Sequence, residues 1–117
     1  MISNSSSRFI YDKAFYNCSG LTNITIPTSV TRIGGDAFRG CVNITSIIIP
    51  SGVIVLGNGA FSGCVSLTIY CESTLQPNNW SSSWNISNRP VYWYSETQPI
   101  TSGNYWHYVN EVITKWD

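Results

Sequence analysis

The sequence predicts a mainly β fold: a short solenoid of parallel strands, closed by an aromatic C-terminal hairpin. Three observations predict it. The chain repeats every 23 residues, with Ala14-Phe15, Ala37-Phe38 and Ala60-Phe61 in step and Cys18, Cys41 and Cys64 behind them. Branched apolar positions keep the same interval: Ile10, Ile33 and Leu56; Leu21, Ile44 and Leu67; Ile24 with Ile47, Ile26 with Ile49, Val30 with Val53. Beyond the repeats lies an aromatic tail, with ten of the sixteen aromatic residues at or after Tyr70. A period of roughly 20–29 residues with branched apolar positions marks a leucine-rich repeat solenoid, whose units bury one another's apolar faces.

The elements follow in order. Residues 1–7 are polar and serine-rich and are expected to be disordered; residues 8–72 form the repeats, and 73–117 an aromatic C-terminal cap. Arg8 to Lys13 supplies only the tail of an upstream repeat, with Ile10 in the ladder position. In the second repeat Ile47 and Ile49 alternate inward with period two, which is strand behaviour. Pro50 lacks a donor and closes that strand. Val53 to Gly57 makes a short extended piece on the opposite side. Ala37 to Cys41 is too short for a stable helix and reads as a turn or one 3₁₀ turn on the convex side. Asn17, Gly40 and Gly63 precede the three cysteines, and these residue types enter the left-handed region most cheaply, so φ is expected to be positive there. Complete strands are expected at Leu21–Ile26 and Ile44–Ile49, with an altered third at Leu67–Cys71.

After Glu72 the period is expected to stop. Leu75 to Pro90, rich in Ser, Asn and Pro, reads as an irregular loop pinned by Trp80 and Trp84. A strand at Val91–Tyr94 and a hairpin of Tyr105–Val109 and Val112–Trp116, turning at Asn110-Glu111, complete the tail. These aromatics admit two readings. One is a cap over the open apolar end of the solenoid; the other is a sugar-stacking platform using Trp80, Trp84 or Trp93. The cap is favoured, because a solenoid end must be shielded. At the other end no dedicated cap is evident, so an exposed apolar N-terminal edge is expected, open to homo-oligomerisation.

Composition excludes several classes. Six basic and six acidic side chains cancel, and only 10% of residues are charged. A nucleic-acid binder needs a basic stripe, which is missing. No apolar run reaches the roughly 18–20 residues that insert across a bilayer. No signal-peptide pattern is visible near Met1.

The cysteines are read as buried hydrophobes. Stacked one per repeat, about 4.8 Å apart, they would hold parallel Cβ vectors unsuited to a bridge. No CxxC occurs and His107 is the single histidine, so neither zinc nor any other metal or cofactor is expected. The carboxylates are scattered, and catalysis finds no constellation. An enzyme is not expected.

The candidate partner-binding surface is the outward row of the strands: Thr22, Asn23 and Thr25, then Thr45, Ser46 and Ile48, then Thr68 and Tyr70. Solenoids bind partners on such faces. Stacked threonines are also ordinary strand chemistry, and that bland reading stands beside the functional one. Sequons occur at Asn4, Asn17, Asn23, Asn43, Asn79 and Asn85.

The run Ala37-Phe38-Arg39-Gly40-Cys41, then Ile44-Thr45-Ser46-Ile47-Ile48-Ile49-Pro50, then Val53-Ile54-Val55-Leu56-Gly57, resembles the BspA-type leucine-rich repeat family. The resemblance spans roughly Ile10 to Cys71, and the tail is similar to the C-terminal end of many such proteins. It implies a non-catalytic protein–protein interaction module, of a kind found on cell surfaces or secreted and engaged in cell adhesion. A structural end-piece of a longer repeat array is the remaining alternative.

Overall fold

The computed structural model describes residues 7–117; Asn4 and most of the segment expected to be disordered lie outside the described residues. Two parallel sheets run along the solenoid. The first joins β1 (Phe9–Ile10), β2 (Arg32–Ile33) and β4 (Val55–Leu56), with Ile10, Ile33 and Leu56 in one register. The second has the order β3 (Ser46–Ile49), β5 (Thr68–Cys71), β6 (Val91–Tyr94), β7 (Tyr105–Val109) and β8 (Val112–Lys115). All its pairs are parallel except β7 with β8. The third side is made of turns, and these too are laddered. Phe15 N donates to Ala37 O and Phe38 N to Ala60 O, at 2.7 and 2.8 Å.

The repeat register is seen directly in the core. Phe15, Phe38 and Phe61 stack in a column with ring centroids 5.3 and 5.5 Å apart and planes within 6°. Phe38 and Phe61 are buried, as are Cys41 and Cys64. Each of those thiols donates to a carbonyl one coil back, Cys41 Sγ to Phe15 O at 3.1 Å and Cys64 Sγ to Phe38 O at 2.9 Å. Cysteine suits the position for two reasons: it is small and apolar, and its weak donor adds a second bond to a carbonyl that already accepts the amide of Cys18 or Cys41.

Positive φ falls at Asn17 (57°), Gly40 (77°) and Gly63 (76°), as their residue types require. A second left-handed column, at Lys13 (59°), Asp36 (55°) and Gly59 (61°), carries no uniform residue type and is not legible from the sequence. Gly57 answers a different need. A Cβ there would stand 2.7 Å from Gly34 C and 2.8 Å from Gly35 Cα, so the neighbouring coil excludes it.

Two expectations are corrected. Residues 21–27 run beside β3 but form no strand. Leu21 and Ile24 are only half-buried, and no described coil covers the far side of this segment to hold it flat. The coil path also does not stop at Glu72. Trp80 bridges to Leu56 in parallel, Trp84 sits 23 residues after Phe61 and packs edge-on against it at 6.4 Å, and β6 pairs with β5. The residue types change there while the path persists, because an indole at the Phe position both continues the aromatic column and ends it. Trp84 meets Trp80 edge-on at 5.0 Å, and Trp80 Nε1 donates to Val53 O at 3.0 Å.

Candidate functional site: the strand face and the hairpin across it

The turn at Asn110-Glu111 forms where expected, with φ of 50° and 67°. Left-handed geometry at both central residues makes it the type I′ kind that matches strand twist. Alternation along the hairpin then sorts its side chains into two sets. Trp106, Tyr108, Ile113 and Lys115 share one face; His107, Val109, Val112 and Thr114 share the other. His107 stacks on Trp116 at 3.7 Å on that second face.

The first set lies on the strand face of the solenoid. Trp106 is fully buried, edge-on to Tyr70 at 5.5 Å, and its Nε1 donates to Cys71 O at 2.8 Å. Lys115 Nζ stands 4.8 Å from the centre of the Tyr92 ring, which stacks on Tyr70 at 5.4 Å. Its hydrogen bond to Tyr92 holds the Lys115 pKa above the usual lysine value. Tyr108 donates its hydroxyl to Glu72 Oε2 at 2.8 Å. Burial first, then that bond and the Glu72 charge, push the Tyr108 phenol up to about 12, so it remains a donor through the physiological range.

The expected partner-binding row is therefore split. Thr22, Asn23, Thr25, Thr45 and Ser46 are exposed, and Ile48 and Thr68 are half-exposed. Tyr70 does not belong with them: it is 8% exposed, covered by Trp106. An aromatic ring at the outward position is best stabilised by other rings, and the hairpin supplies them. Of the sugar-stacking candidates, Trp80 and Trp84 are each 5% exposed and offer no open ring face. Trp93 is half-buried, with its ring 6.0 Å from that of Trp80.

Between the open half of the row and the hairpin runs a cleft of about 270 Å³. Asn23, Thr25, Ser46 and Ile48 line one side, and Tyr108 and Ile113 the other, with Glu72 beside them. Sequence reasoning missed Tyr108, Ile113 and Glu72 as parts of this surface. The alternation of the hairpin groups Tyr108 with Ile113, but nothing local says which way that face turns.

The thiols add no chemistry here. Burial raises the pKa of Cys41 and Cys71 and takes Cys64 to about 11, so these cysteines stay protonated. Among the sequons, Asn43 Nδ2 donates to Ser19 O at 2.6 Å and Asn85 Nδ2 to Arg89 O at 3.0 Å, so both amides have structural partners.

The family model for the BspA type leucine-rich repeat region matches residues 3–89, in six copies. The chain belongs to the BspA-type leucine-rich repeat family. The match runs beyond Glu72 through Trp80 and Trp84, in agreement with the continuing coil. No curated protein and no solved structure matches the chain.

Proposed function

We propose that this BspA-type repeat chain is a protein-interaction module that docks its partner on the open half of the strand face, in an adhesive contact. The observation that carries the reading is the run of exposed hydroxyl and amide side chains, Thr22, Asn23, Thr25, Thr45 and Ser46, beside a cleft walled by the hairpin. Such a surface is uncharged and polar, and at Ser46 it is anchored on β3. The membership in a repeat family of interaction modules supports it further. The test is capture of a partner by the wild-type chain and by Thr22→Glu, Thr45→Glu and Ser46→Glu variants with unchanged melting temperatures. Loss of capture is expected, and undiminished capture by all three would move the site elsewhere.

The N-terminal edge carries a second contact in the same reading, self-association. Phe9, Tyr11 and Tyr16 are 46%, 71% and 44% exposed. Gly35, Ala37 and Arg39 accept backbone hydrogen bonds from the coil before them, whereas Asp12, Ala14 and Tyr16, one repeat earlier, have no backbone donor among the described residues. Light scattering across a concentration series tests this, with a mass that rises with concentration expected and a constant monomer mass counting against it.

A further inference from the structure

We propose that the free edge of β8 takes up an extended segment of the partner by strand addition, one bearing a branched apolar residue and a basic residue; the inference rests on the protein-binding role of the strand face. Trp116 N donates to Tyr105 O at 3.0 Å, which makes Tyr105 and Trp116 a hydrogen-bonded pair. By antiparallel alternation, the next such pairs are His107 with Thr114 and Val109 with Val112. In β8 that leaves the N–H and C=O of Ile113 and Lys115 pointing away from β7, along the outer edge. β8 ends its sheet, and the opposite edge strand, β3, shares one wall of the cleft with Asn23 to Ile26. β1, the edge of the other sheet, is two residues long. β8 is thus a four-residue edge whose outer backbone groups, at Ile113 and Lys115, bond nothing among the described residues.

Exposed edges are ordinarily blunted by proline, a bulge or an outward charge. β8 has no proline, and its pairing with β7 runs unbroken over four pairs. Its lysine folds onto the Tyr92 ring instead of guarding the edge. The edge and the cleft are joined, since Ile113 belongs to both. A strand added at Ile113 and Lys115 would point alternate side chains the same way as theirs, toward the strand face. The cleft selects their chemistry. Ile24, Ile48 and Ile113 favour a branched apolar side chain, and Glu72 meets no lysine or arginine among the lining residues, which favours a basic one.

The test uses the full chain and a capped hexapeptide alternating valine and threonine, with a lysine at one end. Its counterpart is N-methylated at alternate amides, which keeps the side chains and removes the pairing donors. With the unmethylated peptide, amide exchange at Ile113 and Lys115 should slow by roughly ten-fold or more, and the methylated one should leave both unchanged. Lys115→Pro removes an edge donor without touching the bonds to β7, and should abolish the effect while β7–β8 cross-strand NMR contacts persist. Equal binding of both peptides at Thr22, Thr45 and Ser46, with no change at β8, would overturn strand addition and leave the strand-face reading standing. Absence of any change up to millimolar peptide would overturn strand addition as well, and the strand-face reading would then rest on the Thr22, Thr45 and Ser46 variants alone.

Discussion

Trp106→Ala is the most informative single change, because this side chain is the fully buried centre of the hairpin's contact with the strand face. The indole is fully buried, contacts Tyr70, Tyr94 and Tyr108 edge-on at 5.5, 5.4 and 4.8 Å, and donates to Cys71 O at 2.8 Å. Truncating a buried Trp to Ala costs about 3–5 kcal/mol. A two-stranded hairpin has marginal stability of its own, so a loss of that size exceeds what would keep it folded while detached. The hairpin should open locally and leave the coils in place, since the Phe column and the turn ladders do not involve it. The assay is amide exchange read residue by residue. Protection at His107 and Thr114, whose amides face one another across the hairpin, should fall roughly 10²- to 10⁴-fold, the rate equivalent of that loss, while the Phe15 and Phe38 amides keep theirs. Trp106→Phe keeps ring packing and loses only the bond to Cys71 O, at about 1 kcal/mol, and should fall between. Uniform loss of protection throughout the chain would contradict local opening, because the hairpin would then be part of the core's cooperative unit. Undiminished protection in the hairpin would refute it equally.

Phe38→Ala removes the middle ring of the column and should cost about 3–5 kcal/mol, a large share of the roughly 5–15 kcal/mol typical of a domain; a thermal melt without a shift would contradict the stacking. Gly40→Val should destabilise by about 1 kcal/mol or more, since φ is 77° there, and a neutral urea midpoint would count against the left-handed turn. Alkylation of the native chain at pH 8 should modify Cys18 and spare Cys41, Cys64 and Cys71, because only Cys18 is partly exposed and burial keeps the others protonated; more than one adduct per chain by mass spectrometry would refute that. Tyr108 has a folded pKa raised to about 12 from the usual tyrosine value of about 10, so the stability it contributes is present below about pH 10 and lost as pH rises through about 12. Hairpin fluorescence should therefore change late in an alkaline titration, and Tyr108→Phe should remove that late step.

Much of this fold was legible because its causes are local or periodic. A 23-residue interval places Phe15, Phe38 and Phe61 in one column, and Asn17, Gly40 and Gly63 identify their own backbone conformation. The Asn110-Glu111 turn and the strands beside it were readable for the same reason. The continuing coil at Trp80 and Trp84 was not, since an indole in the Phe position hides the repeat from a comparison of residue types. Leu21–Ile26 was read as a strand from its pattern alone, and pattern does not supply the hydrogen-bonding neighbour a strand requires.

Residue order alone was enough to specify the solenoid, its register, the left-handed turn at Asn17, Gly40 and Gly63, the cysteine column, and the existence of a C-terminal hairpin. Where that hairpin lies was settled by packing alone: across Tyr70 and Tyr92, leaving Thr22, Asn23, Thr25, Thr45 and Ser46 open and Tyr108 and Ile113 facing them. The reason is physical. Repeat stacking joins like residues at a fixed separation, so one unit encodes the next, whereas the docking of Trp106 joins residues whose complementarity appears only once both surfaces exist.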